Sequence, residues 1–162
     1  MKVIAGGIAV LALAGTGSAW ASSPSGPQRF FLYGAGSTFD LDYKVVATGT
    51  ISGVGEMRII EDNSDDNHQD FTAELVFPNG SLTLEFSGPS TVDVNPAACA
   101  GTLRGPLQWT ITGGTGAYAG ATGSGSGSFV ERFVVERGAN GCQEDDAIAV
   151  VLTSHLSGAV AA

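Results

Sequence analysis

The sequence predicts an all-β protein of one domain, built from eight or so short strands arranged as a sandwich or a barrel. Three observations carry this. Apolar and polar residues alternate at period two along most of the chain, an Asn-Gly pair sits between two such runs, and no long segment shows helical periodicity with caps. Glycine, with 24 residues, recurs inside the strand-like runs as well as between them. Glycine within a strand marks a bulge, a bend or a close backbone approach, and small barrels need such corners, so a barrel is favoured over a flat sandwich.

Taken in order, Met1 to Ala21 reads as a secretory signal peptide. It has one charge at Lys2, the run "VIAGGIAVLALAGTG", and Ala19-Trp20-Ala21 as a small-x-small cleavage site. The apolar stretch is at or below the roughly 18–20 residues that span a bilayer, so it reads as a cleaved signal and not an anchor, and no later run is apolar enough to span. Residues 22–28, "SSPSGPQ", form a short polar leader, and residues 29–162 form the barrel domain.

The first strands are expected at Phe30–Tyr33 and Thr38–Leu41. In "YKVVATGTIS" Lys44, Val46, Thr48 and Thr50 share one face, and Val45, Ala47, Gly49 and Ile51 share the other. Glu56–Ile60 follows. "DFTAELVF" and "SLTLEF" then gather Phe71, Ala73, Leu75, Phe77, Leu82, Leu84 and Phe86 on apolar faces. Between them Asn79-Gly80 supplies the positive-φ residues of a tight hairpin. Asn79-Gly80-Ser81 is also formally a glycosylation sequon, but turn formation explains the Asn more simply. Later strands are expected at Leu107–Thr112, Gly127–Glu136 and Ala147–Leu156.

Removing Lys2 with the signal leaves six Lys and Arg against 16 Asp and Glu, a formal net charge of −10. Nucleic acids and anionic membranes recruit clustered Lys and Arg, so neither is expected as a partner. Cys99 and Cys142 both lie in the mature chain, and an oxidising compartment would pair them; two buried thiols are the alternative. Closing a loop of 43 residues is worth about 4 kcal/mol in the chain-entropy model. The expected location is secreted or periplasmic.

The run "ITGGTGAYAGATGSGSGSF", Ile111 to Phe129, has the composition of a linker, yet only two strands follow it, and two strands do not stand alone in water. It reads as strand, glycine turn, anchor at Tyr118, second glycine turn and next strand. Its first part, with Gly113, Gly114, Gly116, Gly120 and Gly123, resembles the GG(T/S)G-x-F-x-G-x-x-G signature shared by allene oxide cyclases and dirigent proteins, with Tyr118 where those families usually have Phe. "GTISGVGEM", "FTAELVFPNGSLTLEFSG", "GPLQW" and "LTSHLSG" fall in the same order, so the resemblance covers Phe31 to Gly158.

The resemblance implies an antiparallel eight-stranded β-barrel with a central cavity, often a homotrimer. It also implies a small, largely apolar ligand whose cyclisation or coupling is steered, as by an isomerase or a dirigent-type auxiliary. The cyclases' Asn-Glu and Pro-containing loop motifs are not found, so no catalytic residue is carried over. The alternative is a non-catalytic secreted interaction or structural module.

Candidate ligand-binding residues follow from position. Trp109 and Tyr118 flank the glycine motif and offer aromatic faces, or serve as anchors. In "FVERFVVE" Glu131 alternates with Phe129, Phe133 and Val135 while Arg132 alternates with Val130 and Val134, so one of the two charges meets an interior, an oligomer contact or a strand end. Glu74 and Glu85 lie on the more polar faces of the central hairpin. If these faces lined the barrel, two close carboxylates would raise one pKa and yield a general acid; if they face solvent, they confer solubility. The apolar partners on the opposite faces favour the second.

No cofactor or metal is expected. "EDNSDDNHQD" carries Asp62, Asp65, Asp66 and Asp70, but Asn67 and Ala73 stand where an EF-hand starting at Asp62 needs Gly and Glu. His68 lies in that loop and His155 in the last strand, without the convergent ligands of a zinc site.

Overall fold

The computed structural model describes residues 25–162, apart from the side chains of residues 144–146. The signal segment and the first residues of the leader lie outside the described part. The strands are β1 (Gly26–Gly36), β2 (Asp42–Gly49), β3 (Gly53–Asp62), β4 (His68–Phe77), β5 (Gly80–Pro89), β6 (Thr91–Asn95), β7 (Ala100–Gly114), β8 (Thr122–Gly138) and β9 (Gly141–Ala161). A single 3-10 turn, Gly116–Tyr118, joins β7 to β8. All pairings are antiparallel, β1 pairs with both β2 and β9, and a β5–β7 pairing closes the ring. The result is the expected closed eight-stranded antiparallel barrel, with β6 outside the ring and paired to β7 alone.

Period two explains the interior. Phe30, Leu32, Val45, Ala47, Leu75, Leu82, Leu84 and Phe86 are buried, while Arg29, Lys44, Val46, Glu85 and Ser87 on alternate positions are exposed. On the glycine-rich side, Trp109 of β7 is 1% exposed and fills the barrel axis edge-on to Phe30, with ring centroids 5.4 Å apart. The indole fits because Gly125 and Gly158 face it: a methyl at either would lie 2.6 Å from Trp109 Cζ2 and would strike the backbone of the neighbouring strand. The glycine-serine alternation of β8 is therefore a smooth wall for one large side chain and not a linker.

The Asn79-Gly80 hairpin and the turn after β7 close one end by docking on each other. Thr115 N donates to Ser81 O at 2.8 Å, Ala117 N to Asn79 O at 2.8 Å, and Ser81 N to the Thr115 hydroxyl at 3.0 Å. Gly80 has a φ of 151°, and any side chain there would collide with the Thr115 carbonyl. Tyr118 packs edge-on to Phe77 at 5.8 Å beneath this contact. Beside it, buried Gln28 exchanges two hydrogen bonds with the backbone of Ile51, at 2.8 and 3.0 Å, which satisfies a chain reversal inside the plug.

At the opposite end the strands do not stop together. Residues 142–149 of β9 pair only with β8, and the first half of β7 pairs with β6 and β8, so a small sheet flares past the ring. A disulfide between Cys99 and Cys142, with Cα atoms 5.2 Å apart, ties the turn before β7 to the tip of the β8–β9 hairpin. Arg137 reinforces the tie by donating to the carbonyls of Pro96 and Ala97, at 3.2 and 2.8 Å.

Two sequence expectations need correction, and one strand was not foreseen. Thr38–Leu41 is not a strand: β1 runs on to Gly36, and the chain must reverse before β2 begins at Asp42, with the Thr38 hydroxyl donating to Asp40 O at 3.2 Å inside the bend. β1 also begins at Gly26, within the segment read as leader, because Gly26 to Gln28 pair with β9. β6 was not anticipated; all five of its residues are exposed, so it has no buried face to produce a pattern.

Candidate functional site

The flared end holds a cavity of about 300 Å³ that runs from the surface into the barrel. Its walls are the inward side chains of the ring: Leu32 from β1, Met57 and Ile59 from β3, Phe71 from β4, Leu107 from β7 and Phe129 from β8. Each belongs to the apolar phase of its strand, so the cavity is the upper, unfilled continuation of the core. Phe39, on the β1–β2 turn, stands at the rim and meets Phe133 of the flared sheet edge-on at 5.8 Å.

Among the described residues, four polar groups interrupt this wall below the rim loops: Tyr43, Gln69, Glu131 and Ser154. Ser154 is committed, donating to Ser128 O at 3.1 Å. Gln69 makes only long contacts, at 3.5 Å, to Asp65 O and the Ser90 hydroxyl. Tyr43 takes its place because its register partner on β1 is Gly34, where a side chain would press on the Tyr43 ring. Glu131 sits between Leu103 on β7 and Leu152 on β9, its register partners, so no cation meets it across the sheet. Arg132 and Arg104 belong to the outer phase and are exposed.

The electrostatics follow from that placement. Burial pushes the Glu131 carboxyl above the usual carboxylate range. Burial, and then the charges of Glu131, Asp62 and Asp40, push the Tyr43 phenol up to about 12, so it remains a neutral hydrogen-bond donor. The rim itself is acidic: Asp62, Asp65 and Asp66 line the mouth. Two of these carboxylates also shape their loop, with Ser64 N donating to Asp62 Oδ1 at 2.9 Å and Asn67 N and His68 N donating to Asp65 Oδ1 at 2.8 and 2.9 Å.

The candidate residues read from sequence are distributed unevenly about this site. Glu131 lines the cavity. Trp109 lies in the packed core below it, with its indole Nε1 lacking a hydrogen-bond partner. Tyr118 belongs to the closed end. Glu74 and Glu85 are on the outer surface, diagonal to each other through the pairs Glu74–Thr83 and Thr72–Glu85, so they do not meet Glu131. His68 is exposed beside Ser87, and His155 lies outside the barrel against Phe31, at 4.8 Å. Tyr43 was missed by sequence reasoning; its parity with Val45 and Ala47 was the available signal.

The fold and site define a closed β-barrel with one plugged end and one acid-rimmed apolar cavity. No family model, curated protein or solved structure matches the chain. Among the described residues no helix is long and apolar enough to cross a membrane.

Proposed function

We propose that this is a secreted or periplasmic barrel that binds a small, largely apolar molecule in its cavity, and that its resemblance to allene oxide cyclases and dirigent proteins reflects a shared way of working. The observation that carries the reading is the cavity: apolar walls on six strands with Tyr43 and Glu131 as uncommitted polar groups, the usual composition of a small-molecule site. Neither group stands beside an activated nucleophile, so the chemistry suited to this cavity is conformational restriction of a bound molecule, with cyclisation or coupling steered by shape.

Native mass spectrometry of the protein purified from its own host tests this, paired with Leu152→Trp to fill the cavity. A defined small-molecule adduct on the wild type, absent from a folded Leu152→Trp variant, is the expected result. An adduct of equal occupancy on both would remove the cavity from the account.

A second reading, a non-catalytic interaction module that self-associates, is favoured by an apolar row outside the barrel. Val54, Val46 and Phe31 are consecutive register partners across β3, β2 and β1, with Val54 65% exposed. Light scattering on the wild type and Val46→Glu separates the readings. A trimer lost in the variant supports the module, and a monomer throughout opposes it.

A further inference from the structure

We infer that the cavity selects a singly charged cationic amphiphile, an organic ammonium with an apolar body, over neutral or anionic molecules of the same shape, with Glu131 as the counter-charge. This rests on the small-molecule reading above and names the ligand class. Three independent features point the same way.

The first is sign. Among the described residues, the lining carries four carboxylates, Glu131, Asp62, Asp65 and Asp66, and no Lys, Arg or His. A fatty-acid carboxylate would have to pass three acidic side chains and settle against a fourth in a partly dry site, where screening is weak.

The second is an unmet need. Glu131 is partly buried between Leu103 and Leu152, and among the described residues it has no hydrogen-bond or ion-pair partner. A carboxylate so placed gains most from a ligand that supplies the missing positive charge and N–H donors. Tyr43, whose phenol is pushed up first by burial, is pushed further in the same direction by the negative charges of Glu131, Asp62 and Asp40 around the cavity.

The third is the aromatic lining. Phe39, Tyr43 and Phe71 bring aromatic rings to the cavity, one face of Phe71 being stacked on Phe86, and a free ring face attracts a cation at separations up to about 6 Å and does nothing comparable for an anion.

Isothermal titration with three chain-matched probes tests the inference on the mature protein at pH 7.5: octan-1-amine, octan-1-ol and octanoate. The amine is fully protonated there, since alkylammonium groups titrate near about 10.4. The expected order is amine at least tenfold tighter than alcohol, with no saturable octanoate binding. Glu131→Gln should abolish the advantage of the amine over the alcohol measured on the same variant, with an unchanged near-ultraviolet circular dichroism spectrum verifying that the barrel is intact. If octanol or octanoate binds as tightly as the amine, or the amine preference survives Glu131→Gln, the cationic assignment is overturned while the cavity reading stands. If none of the three binds, the small-molecule reading falls and the assignment with it.

Discussion

Glu131 is a carboxylate held where the surrounding strands offer it nothing, and its protonation is therefore coupled to stability. Burial raises its folded pKa above the unfolded value, so the folded state binds the proton more tightly. That preference stabilises the fold fully below the ordinary glutamate range and is lost as pH rises through the raised value. Glu131→Gln, which keeps the shape and removes the charge, should therefore leave Tm nearly unchanged at pH 4 and raise it at pH 8. A gain of a few degrees is expected, since each kcal/mol moves Tm by about 2–4 °C in a chain of this size. Thermal melts at the two pH values check this, and an equal shift at both would mean that the effect is steric. Trp109 shows the opposite compromise: its unpaired Nε1 costs stability, yet the ring fills the core, so Trp109→Ala should lose about 3–5 kcal/mol in chemical denaturation.

At the level of elements, the glycine-rich start of β8 is as demanding as any apolar strand. Gly125→Ala and Gly158→Ala each drive a methyl against both Trp109 and a neighbouring backbone, and overpacking of this kind costs about 1–3 kcal/mol or more. Chemical denaturation should show both variants weakened, and Ser124→Ala, on the exposed phase of the same strand, close to wild type. The elements also show what could be read in advance. The central hairpin was legible because Phe71 to Phe86 alternate around an Asn-Gly turn, whereas "FVERFVVE" showed only that Glu131 or Arg132 meets an interior, an oligomer contact or a strand end, and the register of β8 was needed to put Glu131 inside. Thr38–Leu41 imitated a strand because Phe39 and Leu41 alternate with Thr38 and Asp40, although one anchors the cavity rim and the other is buried. Tyr43 could not be paired with Glu131 before closure of the ring was known, since strands remote in sequence bring them to one cavity.

For the whole molecule, the disulfide is the restraint on the part that the ring does not hold. β6, the turn after it and the tip of the β8–β9 hairpin lie past the closed pairing and are tied together by Cys99–Cys142 and by Arg137. Replacing both cysteines with serine should cost about 2–4 kcal/mol. It should also make the flared sheet the first region to exchange amide hydrogens while the plugged end remains protected, an ordering that hydrogen exchange resolves by residue. The asymmetry between the two ends has a kinetic meaning as well. With Tyr118 and the docked turns sealing the floor, the cavity has its opening at the flared end, and the proposed guest would enter and depart by that same doorway. On the proposed reading, occupancy would therefore be strictly sequential: a bound molecule would have to back out past Phe39 and the acidic rim before its successor could arrive, and an excess of free guest could not push a resident one through.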